Sequence, residues 1–159
     1  VQLHGDESPA FLAELRAAKP EVRIIRAHRM GAEGLSPLAD YLQQCQHLNV
    51  ELTACLIDAR VAGAFGGTGE TVSWDQLKRE YQFDQWPPLI LAGGLKPRNV
   101  GAALRAVRPW GVDVSSGVES SPAKKDIELV EQFLQSARIV AEEIASVAAN
   151  EGNQIQSES

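Results

Sequence analysis

The sequence predicts an α/β fold built on a parallel sheet, and three features predict it. Strand-like and helix-like patterns alternate along the chain, which is the signature of βα units. Two strand candidates, Leu52-Thr-Ala-Cys-Leu-Ile57 and Leu89-Ile-Leu-Ala92, are near-continuous apolar runs. A sheet covered on both faces needs such runs, whereas strands with one wet face alternate. The segments between strands carry apolar residues at helical spacing behind recognisable helix starts.

In chain order, the predicted strands are Val1–His4, Val22–His28, Leu52–Asp58, Leu89–Ala92 and Val112–Ser115. Ser8-Pro9 predicts the first helix, an N-cap residue followed by proline at the first helical position, with Phe11, Leu12 and Leu15 on one face. Ser36-Pro37 repeats that signal before Leu38, Tyr41, Leu42 and Cys45. Ser73 with Gln76 reads as a capping box before Leu77 and Tyr81. Val100, Leu104 and Val107 mark a fourth helix after Pro97-Arg98-Asn99. The last helix is predicted to begin near Asp126, whose charge suits a helix N-terminus. Its expected apolar face runs Ile127, Val130, Phe133, Leu134, Ala137, Val140, Ile144 and Val147. From Asn150 to Ser159 the chain is polar and lacks aromatics, so a disordered tail is expected. Trp86 and Trp110 precede strands and are expected to pack at the N-terminal end of the sheet.

At 159 residues the chain is one domain's worth of sequence. Its 44% hydrophobic and 23% charged residues exclude a disordered or collagen-like chain. Fifteen Lys+Arg against 21 Asp+Glu give a net charge of −6 with no basic patch, so no nucleic-acid partner is expected. No run of 18 apolar residues occurs, and no membrane partner is expected. Cys45 and Cys55 make neither a CxxC motif nor a disulfide framework, which points to a reducing, cytoplasmic setting. Both read as buried small hydrophobes. The chain opens on Val1, already strand-like, and Met30 is its one methionine. Either the start is processed or, as expected here, the chain is the C-terminal piece of a longer protein.

Five βα units fit two architectures, an open doubly wound sheet or part of a (β/α)8 barrel. A complete barrel needs about 250 residues, so this chain would supply about five of eight units.

Polar residues cluster where the predicted strands end: His4-Gly5-Asp6, His28, Asp58, Gly93-Gly94, then Asp113, Ser115, Ser116 and Gly117. Either architecture binds ligands at that end of the sheet. Asp58, at the mouth of an apolar strand, is placed to serve as a general acid. The alternative is a carboxylate that accepts loop N–H groups and only shapes the turn. Gly93 and Gly94, with Ser115, Ser116 and Gly117, form a candidate phosphate cradle, because glycine lets backbone N–H groups approach phosphate oxygens. Ordinary tight βα turns explain the same glycines. Gly66-Gly-Thr-Gly69 reads as a mobile lid. None of these is a P-loop or a dinucleotide fingerprint. His4 is placed to contact a ligand, whereas His28 and His47 have no partner motif. No His/Cys/Asp cluster has metal-ligand spacing, so no metal is expected.

Four motifs together resemble phosphoribosylanthranilate isomerase. They are Val1-Gln-Leu-His-Gly-Asp-Glu7, Gly66-Gly-Thr-Gly69 with Trp74, Leu91-Ala-Gly-Gly-Leu95 with Asn99-Val100, and Gly111-Val-Asp-Val-Ser-Ser-Gly-Val-Glu119 with Lys125-Asp126. Their order and strand-end positions make the resemblance specific as far as Arg138. It implies a (β/α)8 TIM-barrel type, with about five C-terminal βα units present and the first three missing. Residues 1–138 would be the partial barrel, 139–149 an extension of the last helix and 150–159 the tail.

The implied reaction is an Amadori rearrangement of N-(5-phosphoribosyl)anthranilate, a step of L-tryptophan biosynthesis that uses no cofactor. The resemblance assigns the general acid to Asp58 and phosphate binding to Gly94 and the Ser116-Gly117 turn, beside Gly93 and Ser115 of the cradle read from the residues. It assigns a substrate-lining role to His4, and Asp113 is expected to contact either substrate or a loop. Two family features have no counterpart here. The general-base cysteine of a Lys-Ile-Cys-Gly motif is missing, as is an early arginine that binds the anthranilate carboxylate. Ala123 stands where the family often has Gly. The expected partners are a small phosphorylated substrate and the missing N-terminal βα units, from the same chain or a fusion. This piece by itself is expected to be inactive or very slow. The alternative is a half-barrel that binds a phosphorylated ligand or pairs with a separate N-terminal chain.

Overall fold

In a computed structural model, which describes residues 1–59 and 74–157, five parallel strands pair in chain order. They are β1 (Gln2–Leu3), β2 (Ile25–Arg29), β3 (Ala54–Asp58), β4 (Leu89–Ala92) and β5 (Gly111–Val112). The order decides between the two architectures. A doubly wound sheet reverses its strand order at a switch point, and this sheet has no reversal. The fold is α/β of the (β/α)8-barrel type, with five strands of the wall present.

Register fixes the centre of the sheet. Asp58 pairs with Arg29 on one side and Ala92 on the other. Its carbonyl accepts from Met30 N at 3.3 Å, and the next amide, Ala59 N, donates to Ala92 O at 3.0 Å. The end of β3 is therefore held from both neighbouring strands. β5 stops at Val112, short of the predicted Ser115. Asp113 N donates to Leu91 O at 2.9 Å, and the chain then enters a 3-10 turn, Ser116–Val118.

The chain falls into two compact units, Val1–Gly94 with Pro109–Asp113, and Leu95–Arg108 with Val114–Ser159. The first holds the five-stranded sheet with α1 (Pro9–Ala18), α2 (Ser36–His47) and α3 (Trp74–Glu80). Ser8 caps α1 as its sequence predicts, its Oγ accepting from Phe11 N at 3.2 Å with Pro9 in the first turn. The start of α2 differs from prediction. Leu35, not Ser36, is the N-cap, and it has no side-chain acceptor to offer. Glu80 of α3 compensates from a distance in sequence, its Oε2 accepting from Leu35 N at 2.8 Å while Gln76 Nε2 donates to its Oε1 at 2.8 Å. Gly34, at φ +64°, makes room for that carboxylate, since a Cβ there would overlap Glu80 Oε2.

Leu12, Ile24, Cys45 and Val50 form a core beneath α1 and α2, with Leu3, Leu15, Tyr41 and Leu52 packed around it. Trp86 meets Tyr81 edge-on at 5.1 Å. Trp110 instead stands 74% exposed, against the expectation that it packs. Ser73 and Gly66–Gly69 lie outside the described residues.

The second unit contains α4 (Val100–Val107), the 3-10 turn, a small hairpin of β6 (Glu119–Ser121) and β7 (Lys124–Lys125), and α5 (Ile127–Ser157). Buried Val100, Ala103, Leu104 and Val107 of α4 share this unit with buried Phe133 and Val140 of α5. Gly101 allows the close approach, since a Cβ there would lie 3.1 Å from Val140 Cγ2. Asp126 caps α5, its Oδ1 accepting from Glu128 N at 3.0 Å and Leu129 N at 3.2 Å.

The predicted apolar face of α5 needs correcting. Ile127, Leu134 and Val147 are exposed. Ile127 and Leu134 sit on a stripe turned by roughly 90° from that of Phe133, Ala137 and Val140 at 3.6 residues per turn. The helix also continues through Asn150 to Ser157, where composition alone predicts a disordered tail. In the hairpin turn, Ala123 adopts φ +62°. That left-handed conformation burdens any residue with a Cβ, which explains why a glycine suits this position.

Candidate functional site

Side chains alternate across a strand, so Ala27 and Arg29 of β2 and Leu56 and Asp58 of β3 reach one face of the sheet. With Gln2, His4 and His28 they line a cleft of about 460 Å³ at the carboxyl ends of the strands. Two of the sequence-predicted site residues, His4 and Asp58, therefore meet in one cleft. Arg29 and Gln2 join them without having been singled out by sequence. The register of Arg29 was not legible, since aligning the predicted strand ends would set His28, not Arg29, opposite Asp58.

Asp58 is built into its position asymmetrically. Oδ1 is buried and makes no hydrogen bond among the described residues. Oδ2 faces Arg29 Nε at 3.7 Å, too far for a hydrogen bond, and the Arg29 side chain is 72% exposed. Gly93 explains where Oδ1 sits. Gly93 has φ +95°, and a Cβ on it would overlap Oδ1 and crowd the backbone of Ala59. The sequence assigns Gly93 to a phosphate cradle, and the geometry gives it a second task, leaving space for the carboxylate. Gly94 is different. It also has positive φ, +64°, but a Cβ there would meet nothing within 4 Å.

The loop that carries His4 is fixed from the opposite face of β2. Arg26, nearly buried, donates from Nη1 to Glu7 Oε2 at 2.8 Å and from Nη2 to Gly5 O at 2.9 Å. Its guanidinium lies 4.8 Å from the Tyr41 ring centre, and Tyr41 OH donates to Glu7 O at 3.0 Å. Backbone N–H groups of Glu7 itself and of Gly5, aided by Arg26, hold the Glu7 carboxyl below its ordinary value. Partial burial raises the Tyr41 phenol to about 12.

His28 lies in the strand rather than after it. Burial lowers its pKa, opposed by a hydrogen bond with the Gly34 backbone, and its Nε2 has no partner among the described residues. Both cysteines are buried, as their sequence contexts imply. Burial raises Cys45 and pushes Cys55 up to about 11. Neither thiol lines the cleft.

Asp113 is not among the residues that line that cleft. Asp113 is exposed just beyond β5. Ser115, Ser116 and Gly117 belong to the second unit. There Lys125 Nζ donates to Ser115 O at 2.9 Å and to Glu119 Oε1 at 2.8 Å, fixing the turn. Gly117 is obligatory, since a Cβ would overlap the carbonyl oxygen of Leu95. Among the described residues no group of three or more His, Cys, Asp or Glu is placed to hold a metal ion. No helix there is long and apolar enough to cross a membrane.

Sequential parallel strands with a carboxylate at the carboxyl end of β3 define a barrel-type α/β protein. The family model for N-(5'-phosphoribosyl)anthranilate (PRA) isomerase matches residues 1–136, and the chain belongs to that family. It is 40% identical over 139 residues to N-(5'-phosphoribosyl)anthranilate isomerase of Trichlorobacter lovleyi, covering 87% of this chain and 60% of that protein. The crystal structure of phosphoribosyl anthranilate isomerase from Thermotoga maritima aligns with TM-score 0.62 and 33% identity, over 87% of this chain and 60% of that one. Another solved structure of the enzyme, in complex with reduced 1-(o-carboxyphenylamino)-1-deoxyribulose 5-phosphate, aligns with TM-score 0.61 and 30% identity, over 87% and 58% of the two chains. The chain thus spans about three fifths of the length of the relatives it matches.

Proposed function

We propose that the cleft at His4, Arg29 and Asp58 is the acid side of an aldose–ketose isomerase site acting on N-(5-phosphoribosyl)anthranilate, the step of L-tryptophan biosynthesis the family serves. The observation that carries the reading is Asp58. Its backbone is pinned from both sides, its Oδ1 occupies space that only Gly93 leaves, and its Oδ2 opens toward the cleft beside Arg29. Such a carboxyl can deliver a proton to the ribose ring oxygen, which opens the ring to a Schiff base. Removal of the C2′ proton then gives an enolamine that tautomerises to the ketose. Substrate phosphate is assigned to Gly93 and Gly94 after β4 and to Ser115, Ser116 and Gly117 after β5, supported by the glycine conformations and by the family resemblance. Asp113 and His4 are assigned substrate contacts on the same grounds.

The proton abstraction needs a base that these residues do not offer. Both thiols are buried away from the cleft and hold their protons. We therefore expect the 159-residue chain to turn substrate over about 10²–10⁴-fold more slowly than a relative that carries the base, the usual contribution of such a group. Asp58→Asn should abolish what remains. Turnover that survives Asp58→Asn would refute Asp58 as the acid, and turnover at the relative's rate would refute the need for an added base.

A further inference from the structure

We propose that Lys125, oriented by Glu119, is a positioning residue that keeps the turn at 115–117 in the shape that offers its backbone N–H groups to the substrate phosphate. The inference rests on the phosphate assignment above and adds two residues that the assignment does not use.

Little inside the turn itself holds its shape. Ser115 has φ −116° and ψ −92°, which is neither strand nor helix. Its carbonyl accepts from Val118 N at a long 3.4 Å. The short bond to that oxygen comes from Lys125 Nζ, at 2.9 Å, and the ammonium donor makes it charge-assisted. Contact with the Leu95 carbonyl fixes the turn at Gly117, and Lys125 fixes it at Ser115. Ser116 N and Gly117 N have no acceptor among the described residues. Consecutive unpaired N–H groups are the donor set that suits an anion.

The hairpin delivers the ammonium to the turn. Lys125 of β7 stands opposite Glu119 of β6. Both carboxylate oxygens of Glu119 are engaged, Oε1 by Lys125 Nζ at 2.8 Å and Oε2 by Ala123 N at 3.2 Å. The hydrogen bond from Lys125 is the largest influence holding the Glu119 carboxyl below its ordinary value. One residue beyond Lys125, Asp126 N donates to Val118 O at 2.9 Å. The returning chain therefore braces the turn at both ends. Lys125 and Glu119 together form a neutral pair, so Lys125 acts on the phosphate through Ser115 rather than as a free charge.

The test is calorimetric titration of the full 159-residue chain with two probes. One is reduced 1-(o-carboxyphenylamino)-1-deoxyribulose 5-phosphate, and the other is the same molecule without its phosphate. Wild type should prefer the phosphorylated probe by about tenfold or more. Glu119→Gln separates positioning from direct contact, because removing a negative charge beside a bound phosphate strengthens a direct attraction to Lys125. Positioning gives the reverse. Glu119→Gln and Lys125→Met should each lower the preference by about fivefold, with affinity for the phosphate-free probe unchanged. That unchanged affinity also shows each variant to be folded. A preference in Glu119→Gln at or above that of wild type would overturn the proposal, as would a preference untouched in Lys125→Met. An equal loss of both probes in either variant would overturn it too, since the pair would then only stabilise its unit. If wild type binds both probes equally, the phosphate assignment fails and this inference fails with it. If wild type binds neither, the substrate reading fails as well.

Discussion

Two arginine–carboxylate pairs three residues apart on β2 show how differently one strand uses its two faces. Arg26 and Glu7 meet at 2.8 Å in a partly buried network closed by Gly5 and Tyr41. Arg29 and Asp58 face each other at 3.7 Å, with an exposed guanidinium and a buried carboxylate oxygen that has no hydrogen-bond partner among the described residues. Satisfied polar groups are the rule inside proteins. The first pair obeys it and serves to hold the loop bearing His4. The second breaks it at the carboxyl end of the strands, where barrel proteins place ligands. Between these two pairs, the unpartnered Oδ1 and the exposed guanidinium set Asp58 and Arg29 apart from the satisfied Arg26 and Glu7.

The sharpest way to break this contrast is to remove the space that shapes Asp58. Gly93→Ala should cost about 3 kcal/mol of stability, because a left-handed backbone and overlap with Asp58 and Ala59 act together. Gly94→Ala, with positive φ but open space, should cost only about 1 kcal/mol. Urea unfolding of the two variants side by side measures the difference.

The two arginines come next. Arg26→Gln should cost roughly 1–2 kcal/mol through its lost bond to Gly5 and its place over the Tyr41 ring. Arg29→Gln should leave stability within about 0.5 kcal/mol of wild type, as exposed pairs contribute little. Equal losses at both sites would erase the distinction drawn between the faces.

The smallest effect is the pH dependence contributed by His28. Burial depresses its pKa in the fold below the ordinary 6.5, so as pH falls below 6.5 the unfolded chain takes up the proton first. Stability should therefore fall with acidification from that point down to the folded value, and be unaffected by His28 above it. His28→Gln should flatten this part of the stability curve, read from urea midpoints at stepped pH.

The elements and the strand-end position of Asp58 were legible because their signals are local. Ser8-Pro9 and Asp126 announce helix starts with their own side chains, and apolar runs announce buried strands. Asp58 followed from standing at the end of such a run. The parts that escaped depend on residues far apart in sequence. The cap of α2 comes from Glu80, forty-five residues beyond Leu35. Arg29 gains meaning only through its register with Asp58. Gly93 looked like a phosphate turn because nothing local reveals that a carboxylate from another strand fills the place of its side chain. The exposure of Ile127 and Leu134 likewise depends on which stripe of a long helix finds a partner.

The most direct test of the central claim is a backbone NMR titration of the chain with reduced 1-(o-carboxyphenylamino)-1-deoxyribulose 5-phosphate. The account predicts shift changes concentrated at His4, Arg29, Asp58, Gly93 and Gly94, with the Arg26–Glu7–Tyr41 network undisturbed. Changes confined instead to the groove at the other end of the strands, lined by Leu42, Cys45 and Trp86, or no changes at all, would contradict it.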